Sequence, residues 1–397
     1  MTHQDFDIAS LASLAALVAA GGRKRHDSPA ALVLKQDLAP VEGRDAVFFP
    51  PTYAAAKDRK DASPYNISEL SDGTKVAAID SVGSHANRLE PIFGMEGYEG
   101  LVPRVEVEVS EAPGIPVKRI PLLEIGHRLA DALVRGTDAQ ERVEKAFHDA
   151  SQGDLGTIAA MAPTTVLFGA WDSRKTRVKL KRLLSGRIDA HDISELKRSA
   201  QYDAPLDYKT IGLDLDKDSK VALEKETDAK ESMPGKLSEG GYAGVPSVGV
   251  HGGIVARGPV RRTMVLNLTA IGHLSSRAPV DPVRLREYIL GLGLVAMTAP
   301  VDLDLRAGCQ LVHEGPGTFE IVLQDGTRTS IPVDHDMAVE WAKGAAERFR
   351  DVLSDRKWEQ TWKVDREKLS SQVKASLTGD DGVKPAKKKA ESSEEVA

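Results

Sequence analysis

Seven or eight strand-like segments are spread along these 397 residues, set between helical stretches without a steady βαβ rhythm. That arrangement points to an α+β fold and away from a doubly wound parallel sheet. Residues 31–41 read as a strand, with Leu32, Leu34 and Gln36 on alternate faces. Residues 75–79 form a short strand that runs into a helix capped by Ser81 or Ser84 and carrying His85, Asn87 and Arg88. Residues 102–109 alternate cleanly, and 262–271 hold the strongest alternation in the chain. Three later segments, 309–313, 319–323 and 327–333, suit antiparallel strands, the last two around an Asp325-Gly326 turn. Helical spacing marks 122–134 (Leu122, Ile125, Leu129, Leu133), 139–150, 155–162 and 337–353. Asp281-Pro282 opens a helix that is apolar nearly all round beyond Tyr288 and therefore buried. The stretch 179–184 reads as helical and 187–193 as a strand.

Three zones follow: an N-terminal helix (8–20) and basic linker over 1–29, a core over 30–365, and a charged tail over 366–397 without periodicity, expected to be disordered. Within the core, 212–239 is almost entirely charged or polar and is expected to be a mobile excursion. Beyond it, six glycines fall within residues 240–253. They permit close backbone approach to a ligand or serve as plain turn chemistry, with a slight lean to the former. The apolar runs 8–20 and 288–299 are too short to span a bilayer, so a cytoplasmic protein without membrane contact is expected.

Charge is segregated. Between Arg174 and Arg198 lie nine cations (Arg174, Lys175, Arg177, Lys179, Lys181, Arg182, Arg187, Lys197, Arg198) against Asp189, Asp192 and Glu195, a local +6 in a chain of net charge -6. A concentrated positive field suits a polyphosphate, because each neutralised phosphate releases counterions; the competing reading is a solvated charged face. Aromatic content is only 5%, so backbone charge contacts would carry most of any nucleic-acid affinity, with Trp171, Tyr202, Tyr208 and Tyr242 as the few stacking candidates.

Much chemistry is missing. There is no Walker A sequence, no dinucleotide GxGxxG after a strand, no HExxH and no GxSxG. A single cysteine, Cys309, rules out a CxxC metal site and sits in an alternating run, as a buried strand thiol would. Asp334-His335-Asp336 is better placed to cap the helix that follows than to hold a metal, and Asp302 and Asp304 read as loop surface. His127-Arg128 reads as a surface pair. No cofactor or metal is expected.

Five segments together resemble one family: DSVGSHANRLEPIF (80–93), LLEIGHRLADA (122–132), the long run from Val166 through WDSRKTRVKLKRLL to Tyr208, HGGIVARGPVRRTMVLNL (251–268) and REYILGLGLVAMTAPVDLDLRAGCQLV (286–312). In this order they look like the CRISPR-associated backbone subunit of type I-G, formerly I-U, interference complexes, in the Cas-seven branch of the RAMP superfamily. The resemblance covers roughly residues 30–315. It implies a modified RRM-like, ferredoxin-type core with inserted palm, finger and thumb lobes. It further implies copies of the chain stacked as a helical filament along a guide RNA (crRNA) in a Cascade-type effector complex for antiviral defence, with bases left free to pair with target DNA. The partners so implied are the guide RNA, target DNA, further copies of the chain and other effector subunits. Residue by residue, Ser84, His85, Asn87 and Arg88 look like the palm motif that meets RNA. Arg174, Lys175, Arg177, Lys179 and Arg182 are its expected phosphate ligands. His251, Arg261 and Arg262 belong either beside the RNA or at the subunit contact.

The resemblance implies a protein that is not an enzyme. Two other readings stand beside it. One is an RNA-processing or RNA-cleaving enzyme with His85 or His191 as general base; the other is a structural oligomer whose basic stripe meets acidic faces of its neighbours.

Overall fold

The computed structural model describes residues 14, 16, 18, 28–53, 63–110, 117–202, 245–353 and 358–378. Of the N-terminal helix it describes Leu14, Ala16 and Val18, all helical, with Leu14 and Val18 buried. The basic linker residues 23–25, the 212–239 excursion, Tyr208, Tyr242 and residues 379–397 lie outside the described residues.

In chain order, β1 (Pro29–Pro40), β2 (Ile67–Glu69), β3 (Lys75–Asp80) and helix α1 (Val82–Leu89) come first. β4 (Arg104–Val109) and β5 (Lys118–Pro121) precede helices α2 (Ala132–Arg135), α3 (Gln140–Ser151), α4 (Gly156–Met161) and α5 (Pro163–Phe168). A short hairpin, β6 (Ala170–Trp171) and β7 (Lys179–Leu180), leads to β8 (Leu184–His191). A two-stranded ribbon, β9 (Ile193–Tyr202) and β10 (Val245–Ala256), leads to β11 (Val260–Asn267). Helices α6 (Leu268–Gly272) and α7 (Pro282–Thr298) are followed by β12 (Asp304–Arg306), β13 (Cys309–His313), β14 (Thr318–Leu323) and β15 (Arg328–Ser330). Helix α8 (His335–Arg350), β16 (Glu359–Lys363) and helix α9 (Arg366–Thr378) complete the series.

β1 sits at the centre of a nine-stranded antiparallel sheet of order β12-β13-β1-β11-β8-β3-β2, with β14 also paired to β1 and β15 outside it. The inner order β14-β1-β11-β8 leaves β1 and β8 parallel with β11 between them, and β11 and β14 parallel with β1 between them. This is the split βαβ arrangement of a ferredoxin-type core. The α+β reading therefore holds, and the expected RRM-like strand order is present. The ribbon β9-β10 is set into the connection between β8 and β11, and β4 and β5, from the connection between β3 and β8, form a small sheet with β16.

Alternation decides which face is buried. Leu32, Leu34 and Leu38 of β1 share one face with Met264 and Leu266 of β11 and with Leu184, Ile188 and Ala190 of β8, all buried. α7 covers much of that face; Asp281 accepts the Val283 N–H at 2.9 Å to cap it, Pro282 opens its first turn, and every residue from Tyr288 to Met297 is buried. The apolar face divides into two clusters. Leu34 and Met264 belong to the larger, Leu38 and Val260 to the smaller. Gln36 and Arg262, opposite each other in register, are the polar residues between them.

Four local expectations need correction. The strand expected over 262–271 stops at Asn267, whose side chain accepts the Ala270 N–H at 2.8 Å and starts α6. The helix expected over 122–134 is broken into 3₁₀ turns at Leu122–Glu124 and Arg128–Ala130 plus the short α2, because Gly126 and the left-handed Arg128 (φ 55°) interrupt it. No helix forms over residues 179–184: Lys179–Leu180 is β7, paired with β6, and Leu184 already begins β8. The tail begins as a helix, α9: Asp365 accepts the Glu367 and Lys368 N–H groups at 3.0 and 3.1 Å, and Leu369 packs on Gly136.

Candidate nucleic-acid interface

The hairpin β6-β7 carries the densest exposed charge of the basic segment. Ala170 pairs with Leu180 and Trp171 with Lys179, and the turn between them is folded around Asp172. This buried carboxylate accepts the N–H of Lys175 at 3.3 Å and of Thr176 at 2.9 Å, and the Thr176 hydroxyl at 2.8 Å. The Asp172 N–H in turn donates to the Val178 carbonyl at 3.0 Å. The cage holds Arg177 in the left-handed region (φ 58°) and turns Arg174, Lys175, Arg177, Lys179, Lys181 and Arg182 to the surface. Lys179 Nζ lies 5.8 Å from the ring centre of Trp171, itself 62% exposed. Lys175 reaches Glu144 of α3 at 3.8 Å, an exposed pair of little strength. Arg182 Nε donates to the Phe168 carbonyl at 2.9 Å; partial burial, then the charge of Arg128, lowers its pKa.

Beside the hairpin stands α1. Ser81 caps it, accepting the Ser84 N–H at 3.3 Å, and Ser84 and Asn87 are exposed. His85, expected at the RNA surface, presents no surface at all. Its ring is wholly buried against Gly186 of β8, with Nδ1 2.9 Å from Asp80 Oδ2. Arg88 is partly buried, 3.5 Å from the same carboxylate oxygen. Burial is the largest influence on Asp80 and pushes its pKa up, but the His85 and Ser84 hydrogen bonds and the His85 and Arg88 charges together hold it below the ordinary value. His191, the other general-base candidate of the ribonuclease reading, lies on the opposite face of the sheet.

A Cβ at Gly186 would overlap His85 Cδ2. Gly186→Ala is therefore expected to lower unfolding free energy by about 2 kcal/mol through overpacking, measured by denaturant titration. A loss within about 0.3 kcal/mol would show that the ring moves freely.

The open face of the sheet is charge-paired. Arg261 donates to both carboxylate oxygens of Asp37 at 2.6 and 3.1 Å, Arg187 to Asp189 at 2.6 Å, and Lys35 and Arg328 meet Glu320 at 3.4 and 3.1 Å. The pairing lowers the Asp37 pKa, chiefly through the Arg261 hydrogen bond. No Phe, Tyr or Trp stands on this face of β1, β8, β11 or β14. The sheet thus lacks the aromatic platform on which RRM proteins stack bases. Arg262 points the other way. It is 3% exposed, its Nε and Nη1 have no hydrogen-bond partner, and burial lowers its pKa to about 10, so it is a core residue and no surface ligand.

Of the glycine-rich run, Gly240, Gly241 and Gly244 lie outside the described residues, while Gly252 and Gly253 meet the protein's own chain. A Cβ on Gly252 would lie 3.0 Å from the Leu196 and Lys197 backbone, and one on Gly253 (φ 90°) 2.8 Å from the Phe48 carbonyl. These glycines let chain pass chain within the protein. His251 is exposed on the ribbon opposite Lys197, its ring edge-on to Tyr65 at 5.7 Å, and Arg198 lies 4.8 Å over Phe49. Cys309 is buried in β13 with its thiol pushed up to about 12 by that burial, and Asp334 caps α8 by accepting the Met337 N–H at 3.0 Å, both as the sequence suggested.

One residue was missed. Arg128, read as surface, is 4% exposed and ion-paired with buried Glu90 at 2.6 Å. Its guanidinium donates to the Gly169 carbonyl and to Asn87 Oδ1, each at 3.2 Å, and lies 5.2 Å over Phe168. Only His127 of the expected surface pair is exposed.

Split βαβ sheet and inserted ribbon together define an α+β protein with a group of exposed cations carried off the sheet, on a hairpin. Residues 32–195 match the family model described as CRISPR-associated protein GSU0053, and over that stretch the chain is similar to that family. No curated protein matches the chain. Among the described residues no helix is long and apolar enough to cross a membrane.

Proposed function

We propose that this chain is a non-catalytic, guide-RNA-binding backbone subunit of a type I CRISPR effector complex, working in the cytoplasm and polymerising along the RNA phosphates so that bases stay available to target DNA. The observation that carries this reading is the caged β6-β7 turn, a single short loop on which Arg174, Lys175 and Arg177 are all exposed. A strand held by phosphate contacts needs no aromatic platform, in keeping with the bare sheet face. Exposed Trp171 beside Lys179 supplies one stacking surface at the margin. Ser84, Asn87 and Arg88 on α1 extend the path.

Purified protein is expected to carry nuclease-resistant RNA, seen as a raised 260/280 nm absorbance ratio, and to lose it at high salt. RNA-free protein that also fails to bind added single-stranded RNA at low salt would remove the reading. Cleavage of labelled RNA by the purified protein, abolished by His191→Ala, would replace it with a ribonuclease.

A further inference from the structure

We propose that Arg128 is a positioning residue that fixes the basic hairpin β6-β7 against helix α1. The inference rests on the RNA-binding reading for its purpose, but its geometry stands alone. One guanidinium touches both parts: Nη1 reaches the carbonyl of Gly169, the residue that enters β6, and Nη2 reaches Asn87 Oδ1 on α1. Its third side is held by Glu90 and its face by Phe168, so the fork cannot swing. Arg182, which leaves the hairpin beside Gly169, is close enough to Arg128 to feel its charge. A buried side chain gripping two surface elements sets the spacing between the cations of the turn and the polar face of α1. That spacing must match the separation of successive phosphates for both to be engaged at once.

Arg128 is distinguishable from a phosphate ligand, because a buried cation releases no counterions when RNA binds. It is distinguishable from an ordinary core residue, because its loss should free the hairpin selectively. Two variants serve. Arg128→Lys keeps a charge but not the planar fork that spans three partners. Arg128→Met removes the charge, and Glu90 takes up a proton in its place, so the fold is retained.

In both variants, hydrogen exchange of the amides of residues 172–180 is expected to speed up about tenfold, with amides of β1 and β11 unchanged. Affinity for a labelled single-stranded RNA should fall about tenfold, with the slope of log K against log salt unaltered. Unchanged exchange in the hairpin, uniform acceleration across the sheet, or a shallower salt slope would each overturn the proposal. A variant with Arg174, Lys175 and Arg177 all replaced by Ala is run beside them. If it binds RNA like the wild type, the binding reading fails, while faster hairpin exchange in Arg128→Met still upholds Arg128 as the strut.

Discussion

Replacing Arg174, Lys175 and Arg177 together by alanine is expected to reduce affinity for single-stranded RNA about a hundredfold near 0.1 M salt, equally for every sequence. The magnitude follows from counterion release. Each phosphate contact on a single strand contributes about 0.7 to the slope of log K against log salt, so three contacts remove about 2 units of slope. The protein should stay folded, because all three side chains are exposed and the turn is held by Asp172, which the substitutions leave in place. Lys175 gives up only its exposed pairing with Glu144. Filter binding or fluorescence anisotropy at four or more salt concentrations reads both quantities. An unchanged slope would mean that RNA follows another path.

The second large effect concerns stability and pH. Burial raises the Glu90 pKa from 4.5 to about 7, outweighing the opposing pull of Arg128 and of the Thr164 hydrogen bond. Since the folded pKa lies above the unfolded one, Glu90 contributes stability that is fully present below about pH 4.5 and lost as pH rises through about 7. The shift corresponds to about 3 kcal/mol. Glu90→Gln, shaped like the protonated acid, has nothing to titrate. The stability advantage of wild type over Glu90→Gln is therefore expected to shrink by about 3 kcal/mol between pH 4.5 and about pH 8 in urea unfolding series. Parallel curves for the two proteins would place the titrating group elsewhere. Arg128 is the charged group facing Glu90, with Arg182 behind it.

Legibility in the sequence followed the range of the interaction. Leu32 and Leu34 of β1, Met264 and Leu266 of β11, and the Asp281-Pro282 start of α7 were readable, because alternation and capping act within a few residues. The turn cations were readable as part of a charge excess between Arg174 and Arg198. His85 was misread because its neighbours Ser84 and Asn87 are exposed; the proximity of Gly186, a hundred positions away, is what buries it. Arg261 and Arg262 are adjacent in sequence and look alike, yet the pleat sends one to Asp37 and the other into the core. Arg128 carried no local signal of any kind. Gly252 and Gly253 satisfied a demand for close approach that comes from Phe48 and Leu196.

Composition and local pattern by themselves determined the α+β class, the buried α7, the cation-rich segment and the absence of Walker A, HExxH, GxSxG and CxxC motifs. Tertiary structure alone decided two of the cation pairings, because that of Arg261 with Asp37 depends on strand register and that of Arg128 with Glu90 on chain crossing. A charge is worth little as a ligand once a carboxylate sits within hydrogen-bond distance, and that distance is set by the fold.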